Sequence, residues 1–243
     1  MTALAENLER LEEAIAAACR RAGRARSEVE LMAVSKTYPA ATIAAATALG
    51  LSLFGESRVQ EFAAKAPELE ELRRDPAASV RVHLIGHLQS NKAARAAELF
   101  DAVDSVDSVR LAERLNDAAA NLGKRLPILI EVKLSREETK AGLDPASAEA
   151  AELLERLPGF THLNPQGLMT IAPWGVAQDA TRACFRGLRL WRDKWAAAQP
   201  RLRLDVLSMG MSGDFALAIE EGATRIRVGT ALFGKRQPWT GAE

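Results

Sequence analysis

Apolar positions along this chain follow two periods in turn. Leu4, Leu8, Leu11, Ile15 and Ala18 recur at helical spacing, which predicts an amphipathic helix over 3–22 ended by Gly23. A short apolar run over 31–35 then reads as a buried strand that ends in Lys36, and the Ala-rich stretch 39–49, opened by Pro39 and capped by Gly50, reads as a helix. The exchange repeats. Further strands are expected at 51–55, 80–86, 102–106, 127–133, 166–170, 202–209 and 224–229. Helices are expected between them: 59–74 with a kink or break at Pro67, 91–100 capped by Ser90 or Asn91, and 109–122. Three more follow: 145–157 with Asp144 as cap and Pro145 in the first position, 177–198, and a helix opened by Ser212 or Gly213 that runs to 221. The run over 127–133 has a continuous apolar centre, as strands covered on both faces have.

Strict alternation calls for a parallel sheet, and eight such units in 243 residues favour closure into a (β/α)8 barrel over an open doubly wound sheet. The open sheet usually binds its ligand through a glycine-rich turn after the first strand, and here that turn is Lys36-Thr37-Tyr38-Pro39. No low-complexity linker interrupts the pattern. Residues 1–243 therefore read as one domain, with an N-terminal helix over 1–23 and a barrel over 30–234.

Charge narrows the function classes. Lys plus Arg is 32 and Asp plus Glu is 32, so no overall field favours nucleic acid or an anionic membrane surface. No apolar run is long enough to span a bilayer, and the N-terminus lacks the basic and apolar regions of a signal peptide. Cys19 and Cys184 lie far apart, and with three histidines they form no metal-ligand spacing; a reducing cytoplasm is expected.

Two features carry candidate chemistry. A lysine at the end of a buried strand is costly to desolvate unless paired, and burial favours the neutral amine that attacks carbonyls. Lys36 is such a lysine if it stays with the strand; if it has already left it, the side chain points into water. In barrels the chemistry gathers at the C-terminal strand ends, and phosphates commonly bind in the loops after strands seven and eight. Those loops here are Ser208-Met209-Gly210-Met211-Ser212-Gly213-Asp214 and Gly229-Thr230-Ala231, with hydroxyls, glycines and helix starts suited to an anion. Strand parity places Lys36, Val34 and Met32 on one face, and Gly229, Arg227 and Arg225 on one face. Parity alone does not decide whether the arginines turn inward. His83 reads as a hydrogen-bonded core residue, Glu131 and Lys133 as a possible pair on one strand face, and Trp174, Trp191, Trp195 and Trp239 as apolar helix faces.

The chain resembles the single-domain pyridoxal 5′-phosphate (PLP) homeostasis proteins. The resemblance rests on Ala33-Val34-Ser35-Lys36-Thr37, Phe54-Gly55-Glu56 with Val59-Gln60-Glu61, and the run from His83 to Lys92. It continues with Lys140-Ala141-Gly142, Gly167-Leu168-Met169-Thr170, Leu207 to Asp214 and Arg227 to Gly234, so it covers nearly the whole chain. It implies a TIM-like barrel like the N-terminal domain of alanine racemases, with PLP at the strand ends. Lys36 then matches the lysine that holds PLP as an internal aldimine. Ser208, Gly229 and Thr230 match the phosphate region, with Ser212 and Met211 close by. Arg227 matches the arginine facing the pyridine nitrogen, which turns it inward; Arg225 then points inward too, with Glu131 or another strand acid as its expected partner. Lys140 is a surface charge or a secondary acceptor of PLP. The family has Gly-Glu-Asn where this chain has Gly55-Glu56-Ser57, so Ser57 meets the cofactor with a shorter reach or through a water.

The resemblance also implies PLP carriage without an established activity, in the cytoplasm, as a monomer, with apo PLP-dependent enzymes as recipients and neither nucleic acid nor membrane as partner. An arginine beside the ring nitrogen makes the ring a weaker electron sink. Racemases of the related fold take a second base, a tyrosine, from another domain, whereas the one tyrosine here, Tyr38, lies two residues from Lys36. The alternatives are a PLP-dependent racemase or lyase, and a cofactor-free Schiff-base aldolase.

Overall fold

The computed structural model describes residues 2–134 and 141–234. Its first helix, α1 (Ala3–Arg21), is capped by Thr2, whose hydroxyl accepts from the Ala5 N–H, and buries Leu11, Ile15 and Ala18 along one stripe. Eight strands follow: β1 (Glu30–Val34), β2 (Leu53–Glu56), β3 (Arg81–Leu84), β4 (Ala102–Val106), β5 (Leu126–Glu131), β6 (Leu163–Met169), β7 (Val206–Ser208) and β8 (Arg225–Val228). They pair in chain order, every neighbour parallel, and β8 pairs with β1 to close the barrel. Between them run α2 (Ala40–Thr47), α3 (Val59–Lys65), α4 (Glu70–Arg74), α5 (Ala93–Leu99), α6 (Val109–Asn121), α7 (Ala148–Arg156), α8 (Gln178–Ala198) and α9 (Phe215–Glu220), with α10 (Thr230–Phe233) after β8. The (β/α)8 barrel with an extra N-terminal helix is as expected from the alternation. α1 packs against α9 and α10, and Asn7 donates to the Leu232 carbonyl there.

Departures lie at element ends. β1 stops at Val34, so Lys36 sits in the following turn. β7 covers only Val206–Ser208, because the polar Arg203 and Asp205 break the run expected from 202. α7 starts at Ala148, and Ser147, not Asp144, caps it through the Ala150 N–H; Asp144 instead turns the chain by accepting from Ala146. The helix expected from Ser212 or Gly213 starts at Phe215 behind Asp214, whose carboxylate accepts from the Met211 N–H 2.5 Å away. Pro67 breaks the 59–74 helix, as predicted, into α3, a 3-10 turn over Ala66–Leu69 and α4. Trp174 is no helix-face residue: it stands 88% exposed in the loop after β6.

Strand alternation divides the core in two. Alternate residues such as Leu31, Ala33, Phe54, Val82, Ile226 and Val228 join the helices in a continuous apolar layer. The other set faces inward and is partly charged. Arg225 on β8 bonds Asp104 on β4, at 3.2 Å; those strands are not neighbours, so the contact runs through the barrel interior.

Candidate functional site

Because all eight strands are parallel, the residues just past their C-terminal ends share one rim. Lys36 lies two residues past β1, Ser57 one past β2, Asp107 one past β4, Thr170 one past β6 and Gly229 one past β8, while Glu131 and Ser208 end β5 and β7. Each local sequence supplies its own stop. Ser35 is buried and gives its hydroxyl to Glu56, and Thr37 takes φ +69, turning the chain sharply around the half-buried Lys36. Tyr38 then packs on Phe233 and donates to the Gly234 carbonyl at 2.8 Å, which commits its hydroxyl to the β8 side.

The loops after β7 and β8 are tied together. Gly210 takes φ +92, and a Cβ there would sit 2.5 Å from the Ala218 methyl, so only glycine lets the chain fold back over α9. Ser212 accepts from the Ala231 N–H at 3.4 Å, linking one loop to the other. The Ser212 and Gly213 N–H groups have no acceptor among the described residues. Since β8 pairs with β1, these loops stand beside the Lys36 turn; Gly229 lies against Val34, where a Cβ would be 3.2 Å from the carbonyl oxygen. Thr230 is exposed and Met211 half-buried.

Both arginines of β8 turn inward. Arg227 donates to the Ser208 hydroxyl and to the Thr170 carbonyl, each at 2.9 Å, and is buried. Burial pulls its pKa down against the fields of Asp104, Glu131 and Asp214, yet a guanidinium stays protonated at any ordinary pH. Ser208, matched to the phosphate region, is fully buried, and its hydroxyl oxygen accepts from Arg227. Arg225 is partnered by two other strand acids, Glu30 at 2.8 Å and Asp104 at 3.2 Å, rather than by Glu131. His83 completes that set through Asp104 at 3.0 Å and is the hydrogen-bonded core histidine expected.

Glu131 is the residue whose state the sequence did not reveal. It pairs neither with Lys133 nor with Arg225. Its Oε2 is buried without a hydrogen-bond partner among the described residues. Burial, reinforced by Asp107 and opposed by Arg227 and His87, pushes its pKa up to about 7. A second missed group stands beside the Lys36 turn: Glu56, Glu61 and Lys65 are all buried, although Glu and Lys four apart on a helix usually mark its wet face. Among the described residues no cluster of three or more metal-ligating side chains is found. Lys140 and Trp239 lie outside the described residues.

The rim thus joins an amine, an inward cation and tied loops with unused N–H groups, in the arrangement that barrels use to hold a phosphorylated ligand. Fold and site define a barrel of the alanine racemase N-terminal-domain class, and that family's model matches residues 5–237. Among curated proteins, the pyridoxal phosphate homeostasis protein of Vibrio cholerae is 40% identical over 237 residues, 97% of this chain and 98% of that protein. The one from Escherichia coli K12 is 39% identical over the same shares. PipY of Synechococcus elongatus PCC7942, solved with PLP bound, is 44% identical over 95% of this chain and 100% of its own, with a TM-score of 0.80. An alanine racemase from Clostridium difficile shares the fold at 16% identity and a TM-score of 0.73, with 97% of this chain covering 57% of that one. The chain belongs to the pyridoxal phosphate homeostasis protein family.

Proposed function

We propose that this chain binds PLP at the rim and serves intracellular PLP balance, with no catalytic turnover of its own. The observation that carries the reading is adjacency: pairing of β1 with β8 sets the Lys36 turn beside the tied loops that offer unused N–H groups. PLP, when bound, would supply an aldehyde that an amine can attack. Lys36 contributes that amine. The N–H groups of Ser212 and Gly213, with Gly229 and the Thr230 hydroxyl, receive the phosphate, and Met211 shapes the loop through its bond to Asp214. Arg227, held by Ser208 and the Thr170 carbonyl, would donate to the ring nitrogen and keep its own proton. The ring is then a weak electron sink, which suits holding rather than turnover. Ser57, one residue past β2, would meet the cofactor through a water or a longer contact.

The chain acts as one domain and a monomer in the cytoplasm, with apo PLP-dependent enzymes as recipients and neither nucleic acid nor membrane as partner. No helix among the described residues is long and apolar enough to cross a membrane. The test is borohydride reduction of PLP-loaded protein, then intact mass and peptide mapping. One pyridoxyl-phosphate adduct on the Lys36 peptide is expected; a protein left colourless and unmodified overturns the reading. A PLP-dependent racemase or lyase draws on one observation, the buried acid Glu131 beside Arg227. Amino-acid turnover lost in both Lys36→Ala and Glu131→Gln would establish it.

A further inference from the structure

Lys65 on α3 is an ammonium with an unusual set of acceptors. Its Nζ lies 2.7 Å from Glu61 Oε1, 3.1 and 3.3 Å from the two oxygens of Glu56, and 3.2 Å from the Ser35 carbonyl oxygen. The same Glu61 oxygen accepts from the Thr37 N–H at 2.5 Å, and Glu56 accepts from the Ser35 hydroxyl at 2.7 Å. Ser35 and Thr37 are the residues on either side of Lys36. The cluster therefore grips the backbone immediately before and immediately after that lysine.

The grip has something to hold. Thr37 is a β-branched residue in the left-handed region, at φ +69, a conformation that is costly for such residues. A charge-assisted bond from its N–H to a buried carboxylate is strong enough to offset that cost. Burying three ionisable side chains is expensive, burial raising the Glu56 carboxyl above its ordinary value, and an apolar trio of similar volume would fill the space as stably. What an apolar trio cannot do is fix the direction of two backbone groups.

We propose that Glu61 and Lys65, braced by Glu56, form a positioning clamp that keeps the Lys36 turn in its left-handed form and so aims the amine at the bound aldehyde. The proposal rests on the reading of Lys36 as the attachment point for PLP. Release of the Thr37 N–H lets that residue relax to negative φ and swings the lysine away. The phosphate loops and Arg227 lie on other elements and are left in place. The clamp thus acts on the covalent part of binding alone.

Pyridoxine 5′-phosphate, which carries an alcohol in place of the aldehyde, separates the two parts. Dissociation constants for PLP and for the alcohol are measured on the full chain at a temperature well below unfolding, with the visible band of bound PLP recorded alongside. Glu61→Ala is expected to weaken PLP by about tenfold or more and to reduce the band, while the alcohol changes by less than about twofold. Glu61→Gln keeps an oxygen that accepts from both Thr37 and Lys65, so it retains near wild-type PLP binding. If Glu61→Ala does not fold, Glu61→Met, which fills the space and likewise releases the Thr37 N–H, is read in the same way. PLP binding unchanged in the variant overturns the clamp, as does an equal loss for both ligands, which marks a merely structural cluster. A wild-type protein that takes no PLP covalently overturns the reading of Lys36 itself.

Discussion

At the floor of the barrel, Arg225 reaches from β8 to Glu30 and Asp104, and His83 closes the set from β3. At the mouth, Arg227 sits on the same strand face two residues on. Its neighbours include a carboxyl with an oxygen unbonded among the described residues and loops with unused N–H groups. Both ends of one interior are polar. The floor satisfies itself: burial raises the Asp104 carboxyl, but His83, Arg225 and Arg227 outweigh it and hold the group below its usual value. The mouth keeps capacity in reserve. A self-contained network contributes specificity of packing, whereas unmet donors and a lone acid are what a ligand completes.

The comparison breaks most visibly at Lys36. Lys36→Ala is expected to abolish the visible band of PLP-loaded protein and the borohydride adduct, read by absorbance and intact mass; any adduct surviving elsewhere moves the attachment point. Next in size is the floor. Asp104→Ala leaves Arg225 without its interior partner and is expected to cost about 3–5 kcal/mol in urea unfolding, with PLP affinity per folded molecule little changed. A smaller loss would show that water repairs the floor.

The third effect is a pH dependence at the mouth. A carboxyl raised from 4.5 to about 7 on folding binds its proton more tightly in the native state. The stabilisation is complete below pH about 4.5, fades as pH rises, and is gone above about 7. Asp107, Arg227 and His87 set that value together with burial. Glu131→Gln removes the titration. Between pH 4.5 and 8 the wild type should lose on the order of 2–3 kcal/mol that the variant keeps, measured on apo protein by urea unfolding. Parallel pH curves would place Glu131 in contact with water instead. Smallest is Ser212→Ala, which unties the two loops. It is expected to weaken PLP several-fold while stability moves by no more than about 0.5 kcal/mol.

The barrel was legible because eight apolar runs and the helices between them each announce their period locally, and strict alternation leaves few ways to close. The inward side of β8 was legible once motif order was added to parity, and the Lys36 turn and the loops after β7 and β8 stand at the rim where the strand order puts them. The partner of Arg225 was legible only as a strand acid; which one was not, and Glu30 and Asp104 rather than Glu131 bond it. Nor was the clamp legible: Glu61 and Lys65 stand four apart on α3, a spacing that ordinarily describes a solvated pair, and only the packing of α3 against the Lys36 turn buries them.

The order of strands and helices, the closure they imply and the residues that reach the rim are properties of the sequence, since periodicity and parallel connection act over a few tens of residues. Which interior charges meet, which acid keeps an oxygen unbonded among the described residues, and what braces Lys36 belong to the tertiary structure alone. Those outcomes turn on distances of a few ångströms between strands remote in the chain, and burial, which no local pattern encodes, sets their energies.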